Sequence, residues 1–297
     1  MLRLTDSVLS VAILPEVGGG LAAFEWLARG ETIALMRPYS PADAVPTGLP
    51  DPNWLACYPL LPWSNRIGDG GFVSEGRRVA LALNRRDDAF PIHGSGWQRA
   101  WQVEEHAPHA ALLTLQETQP EGYSYRASQR YALDDSTLRV DLSITNTGDW
   151  TMPFGLGLHP FFLRHGEVLL RAPAGKVWIN DGHTPMPVGQ VEVPEAWDFR
   201  DLRLLPDEGV NHAFQPWNGE ADIVWPQLGL RLRLHAQADT FVLYTPEDGD
   251  FFCFEPVDHP INAVHLPGGA VANGMTALRP GETLSRRFVF EVIDEDA

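Results

Sequence analysis

The chain has 297 residues, a formal net charge of -17 and a pI near 4.9. A surface this acidic repels nucleic acid and anionic membrane, so neither is expected as a partner. No stretch approaches the roughly 18 apolar residues of a membrane span, and Met1 to Asp6 lacks the pattern of a signal peptide. Cys57 and Cys253 lie far apart and form neither a disulfide framework nor a metal-type spacing. These features point to a reduced, cytoplasmic protein.

Taken in order, the chain alternates rather than winds. With 27 Gly and 25 Pro it is punctuated too often for long helices. Residues 37–52 are rich in Pro and polar groups and read as a loop. Segments 111–117, 123–133 and 167–172 read as strands. Leu138, Val140, Leu142 and Ile144 alternate with polar residues before the turn at 146–149. Residues 180–201 read as a second long loop. Leu230, Leu232 and Leu234 alternate with Arg231 and Arg233; 240–244 and 288–292 read as further strands. Many short strands with frequent turns predict an all-β protein, an antiparallel sandwich or barrel. No composition break marks a linker, so residues 1–297 are expected to form one domain.

Four stretches place polar groups in apolar or tightly turned surroundings. In Phe251-Phe252-Cys253-Phe254-Glu255-Pro256, a strand would send Phe252 and Phe254 to one face. Phe251, Cys253 and Glu255 would share the other. A carboxylate there either finds partners, stays protonated, or reaches water where Pro256 halts the strand. Arg66, after the proline-braced run Pro59 to Trp63, offers a planar fork of donors, or pairs with Asp69. His93 sits between Phe90-Pro91-Ile92 and Gly94-Ser95-Gly96, and His159 is embedded in an apolar run. Each is either a structural histidine or a group tuned for proton transfer. His259 and His265 follow Glu255 closely. His93, His159 and Glu255 lack the short spacings that announce a metal site, and there is no nucleophile elbow or phosphate-cradling loop. No metal or cofactor is expected.

Together these stretches resemble the aldose 1-epimerase (mutarotase) family over nearly the whole chain. The resemblance rests on Leu14 to Gly20, Asn65-Arg66-Ile67, Ile92-His93-Gly94 with Trp101 following, Gly157 to Phe162, Phe252 to Pro256, and Leu278 to Glu282. It implies a large antiparallel β-sandwich of the galactose mutarotase-like type (a supersandwich) that interconverts the α and β anomers of a free aldose. It implies Glu255 as general base and His159 as general acid, with Asn65, Arg66 and His93 holding the sugar. A family Asp that binds a sugar hydroxyl is matched by Asn211, which keeps hydrogen-bonding capacity but not charge. Trp63, Trp97, Phe161 and Tyr244 are candidates to pack on the sugar, with Trp101 in the core. The alternatives are a hexose-6-phosphate 1-epimerase, which needs extra cleft Arg or Lys, and a non-catalytic sugar-binding protein. For the first, Arg77-Arg78 and Arg85-Arg86 are expected in exposed turns. A two-carboxylate glycoside hydrolase would need a partner for Glu255, and no second carboxylate in an apolar setting stands out.

Overall fold

The structure is a computed structural model that describes residues 1–28, 30–40, 51–119, 122–207, 209–247 and 249–296. Residues 41–50 of the first expected loop lie outside these. Among the described residues the protein is all-β, with two large antiparallel sheets of 11 and nine strands and two small two-stranded ones. No helix is long and apolar enough to cross a membrane.

The larger sheet carries the features of interest. Its central run is Gly20–Ala28, Cys57–Leu60, Gly157–Leu163, Phe251–Val257, Thr240–Tyr244 and Asn211–Trp217. Side chains alternate across these strands. Leu158, Phe162, Phe252, Phe254, Phe241 and Phe214 face the second sheet and join the main core. Phe24 and Phe162 meet Phe290 of the opposite sheet with ring centroids 6.3 Å and 6.5 Å away. Tyr58, Phe161, Val242, Ala213 and Cys253 form a smaller apolar layer on the other face. A sheet covered on both faces explains why Phe251–Val257 reads as nearly continuous apolar sequence.

The alternating segments become strands close to where they are expected. Thr137–Asn146 pairs with Tyr125–Asp134 and with the long C-terminal strand Thr283–Asp294. Two expectations change. Residues 180–201 are not all loop: Pro187–Glu192 forms an edge strand on Ala174–Asn180, and Glu195–Trp197 a single 3-10 turn. Pro256 does not stop its strand either. It pairs opposite Phe241 and the strand runs on to Val257, so Glu255 lies within the sheet rather than at a solvent-facing end.

Candidate active site

His159 and Glu255 occupy neighbouring strands on the outward face of the larger sheet, and both are buried. His159 Nε2 stands 3.4 Å from Glu255 Oε1. They are side by side on a floor, not across a space the width of a sugar. Tyr58 lies beside His159 with ring centroids 4.6 Å apart, and Phe161 stacks on its imidazole, also at 4.6 Å. Glu255 Oε2 and His159 Nδ1 are buried without a hydrogen-bond partner in the protein. Burial pushes the Glu255 carboxyl up to about 8, against the opposing pull of Arg66. Burial, then the Arg37 guanidinium, pushes His159 down to about 3. Both shifts favour uncharged groups, as expected of buried titratable side chains.

One wall is made by two crossing loops. Asn65 and His93 both have left-handed backbones, with φ of 55° and 60°. They bond reciprocally: His93 N–H donates to the Asn65 carbonyl at 2.9 Å, and Asn65 N–H donates to His93 Nδ1 at 3.0 Å. Burial holds the His93 pKa well below its usual range, so the ring is neutral. With Nδ1 accepting, the proton must sit on Nε2. His93 is therefore a fixed donor. Asn65 Oδ1 accepts from the Arg66 backbone N–H at 3.0 Å and faces Arg66 Nη1 at 3.4 Å. Arg66 pairs with Asp88, through Nε at 2.9 Å and Nη2 at 2.7 Å. Asp69, its expected surface partner, lies instead 4.0 Å from His265.

These walls and floor enclose an open cleft of about 460 Å³ that contains Asn65, Arg66, His93, His159, Asn211 and Glu255. All six residues singled out from the sequence thus meet in one cavity of ligand size. Phe161 and Tyr244 also line it. Trp63 and Trp97 do not: Trp97 is buried behind Tyr58 at 5.1 Å, and Trp63 packs at a tilt against Tyr123 at 5.4 Å. Trp101 is in the core. Of the four arginines expected in exposed turns, Arg85 lines the cleft, bound to Asp87.

Further cleft residues were not anticipated. Arg37 lies over the Phe161 ring at 4.1 Å and the Phe251 ring at 4.7 Å, and also donates to the Asn53 carbonyl. Trp54, on the turn Pro52–Trp54, is half exposed at the mouth. Asp51 caps that turn by accepting from Asn53 N–H at 3.0 Å. These residues sit in polar loops, where nothing in the local pattern separates a cleft wall from an ordinary surface.

Although His93, His159 and Glu255 converge, His93 offers no lone pair to a cation, because Nδ1 is engaged and Nε2 carries hydrogen. No group of His, Cys, Asp and Glu among the described residues is arranged to hold a metal.

The two packed antiparallel sheets, with a buried His–Glu contact on the floor of an open polar cleft, are those of a galactose mutarotase-like protein. The aldose 1-epimerase family model matches residues 1–291, and the chain belongs to that family. It is 33% identical over 246 residues to the Escherichia coli K12 uncharacterized protein YphB, covering 80% of this chain and 83% of YphB. A crystal structure from Escherichia coli K12 superposes with a TM-score of 0.87 at 30% identity over 98% of both chains. The fold is also that of galactose 1-epimerase from Lactobacillus acidophilus NCFM. That structure has a TM-score of 0.76 and 22% identity, over 98% of this chain and 92% of that one.

Proposed function

We propose that this protein is a mutarotase that opens and recloses the ring of a free aldose, with Glu255 and His159 moving the protons. The observation that carries the reading is the buried contact at 3.4 Å between His159 Nε2 and Glu255 Oε1 on the cleft floor. The anomeric hydroxyl and the ring oxygen are bonded to the same carbon, so an acid and a base that serve both must be neighbours. Glu255 as carboxylate takes the C1 hydroxyl proton while His159 as imidazolium protonates the ring oxygen. The O–H electron pair forms the C1 carbonyl, and the C1–ring oxygen bond breaks with its pair going to that oxygen. Rotation about C1–C2 and reversal of the transfers give the other anomer.

Burial favours the uncharged pair, so the free cleft holds Glu255 as the acid and His159 as neutral imidazole. The proton must pass from Glu255 to His159, 3.4 Å away, to give the reacting ion pair; once the ring has opened, the pair is again a carboxylic acid and a neutral imidazole. His93 Nε2–H, the Arg66 fork and Asn211 supply donors and acceptors for the sugar's oxygens, with Asn65 orienting Arg66 and His93.

The pair is competent while it holds one proton. Glu255 retains its proton to about pH 8, because its pKa is raised; above that the pair has none to deliver. His159, lowered to about 3, takes up a second proton only in strong acid. The profile of kcat/KM, which reports the free enzyme, is therefore expected to be flat through neutrality and to fall near pH 8. A fall centred at the ordinary imidazole value of about 6.5 would contradict this assignment.

A second reading, a sugar-6-phosphate epimerase, is favoured by Arg37 and Arg85 lining the cleft. Magnetisation-exchange NMR between anomers of galactose, glucose and their 6-phosphates separates the two. Enzyme-dependent exchange in neutral sugars supports the first reading; exchange confined to phosphates supports the second. Binding without exchange in any sugar would remove both.

A further inference from the structure

The segment that follows Glu255 turns back onto the loop that carries Asn65 and Arg66. His259 is 1% exposed. Its Nδ1 lies 2.9 Å from the Pro260 carbonyl, which can only accept, so Nδ1 carries the proton. Nε2 is then a free lone pair, and it accepts from the Ser64 backbone N–H at 3.1 Å. Three residues on, Asn262 makes a second tie. Its N–H donates to the Arg66 carbonyl at 3.0 Å, and its Oδ1 accepts from Gly68 N–H at 2.9 Å. Asn262 holds a left-handed backbone, φ 59°, to do so. There is no room for slippage: a Cβ on Gly155 would strike the His259 ring. Burial also pushes His259 down to about 4, which keeps Nε2 an acceptor through neutral pH. A protonated ring would present a hydrogen to the Ser64 N–H and break the tie.

We propose that His259 is a positioning residue that locks Ser64, and through it Asn65 and Arg66, in the sugar-holding conformation relative to the strand that bears Glu255, with Asn262 as its second anchor. This rests on the sugar-cleft reading above. His259 touches no cleft atom; it acts through a main-chain amide. His93 is held in the opposite tautomer, by Asn65 N–H on Nδ1. Two buried neutral histidines, protonated on opposite nitrogens, thus brace consecutive residues of one loop, His259 at Ser64 and His93 at Asn65, while Asn262 ties Arg66.

The test compares His259→Ala, His259→Gln and Asn262→Gly with wild type. Gln can present an acceptor near the position of Nε2; Gly keeps the left-handed backbone at 262 while removing Oδ1. Since the loop holds sugar rather than moving protons, His259→Ala is expected to raise KM about tenfold or more with a smaller change in kcat. His259→Gln should recover most of that loss. Asn262→Gly should shift KM in the same direction. A merely structural role would lower the active fraction, reducing apparent kcat at unchanged KM, and that result would overturn the proposal. Nitrogen-15 histidine spectra of wild type supply a readout that needs no variant to fold: His259 protonated on Nδ1 and His93 on Nε2. The reverse tautomer at His259 would also overturn it. If wild type binds sugar but does not interconvert anomers, the same variants are read by sugar Kd. Failure of the mutarotase reading therefore stays distinguishable from failure of the His259 tie.

Discussion

Glu255→Gln and His159→Asn are each expected to reduce kcat roughly 10²–10⁴-fold. Gln fills the same volume and keeps a hydrogen-bonding head, but it cannot take the C1 hydroxyl proton. The fold should tolerate the change, because among the described residues the Glu255 side chain makes no contact of this kind beyond the one with His159, and Oε2 has no hydrogen-bond partner. Replacing a buried carboxyl whose ionised form is disfavoured removes a cost rather than a support, so Tm is expected to hold or rise. The two losses should not add. The groups share one proton, and removing either disables the transfer, so the double variant should be close to the worse single one. Progress curves at saturating sugar, beside thermal melts of the same preparations, check both points. Glu255→Gln activity within tenfold of wild type would take the carboxylate out of the proton transfer.

Gly94→Ala is expected to damage both fold and site. Gly94 has φ of 67°, and a Cβ there would land on the Leu61 main-chain carbonyl. The left-handed conformation alone costs a non-Gly residue about 1–2 kcal/mol. The backbone overlap cannot be relieved by a rotamer change, so a loss of about 3 kcal/mol or more is expected. The damage is local to function. The Gly94 carbonyl accepts from Asn84 Nδ2 at 2.8 Å and from Trp97 Nε1 at 3.1 Å, and Asn84 also binds both the N–H and the C=O of Ile92. That cradle aims His93. Urea unfolding gives the stability loss, and sugar affinity at a temperature where the variant remains folded gives the functional one. Wild-type stability in Gly94→Ala would mean that the Leu61–Gly94 approach is not as tight as described.

Legibility in the sequence followed burial. Strands packed on the core announce themselves by alternation, as Thr137–Asn146 does with every second residue buried. Pro187–Glu192 packs neither face on the core; its residues are half-buried or exposed, so no period was selected and the segment reads as loop. The same logic governs the cleft. Glu255, His159, His93 and Arg66 are conspicuous because a polar group in apolar or tightly turned sequence needs a reason. Arg37, Trp54, Arg85 and Asp87 come from loops where polar residues are ordinary, so they become cleft walls only when the chain is folded. Arg66 shows the limit of reasoning from proximity. Asp69 is three residues away, yet it adopts φ of 52° and lies near His265, while Asp88 arrives from the loop before His93 to hold the guanidinium. Tyr58 is hidden for a different reason. It sits in a strand that reads as core, and only the pairing of Tyr58 opposite His159 brings its ring against the imidazole.

The spacing of the pair is informative. An acid and a base flanking a pyranose would be far apart; here they touch. Adjacent buried groups titrate as a pair, and both shifts favour the uncharged form, with the proton on Glu255. That arrangement suits a reaction whose two proton transfers occur at oxygens on one carbon.

The most direct test is polarimetry of freshly dissolved α-anomer with wild-type protein and with Glu255→Gln at equal concentration and matched folded fraction. Wild type is expected to speed the approach to the equilibrium rotation well beyond the buffer rate, and the variant to return it close to that rate. Equal acceleration by both proteins, or none by wild type with any of the sugars tested, would contradict this expectation.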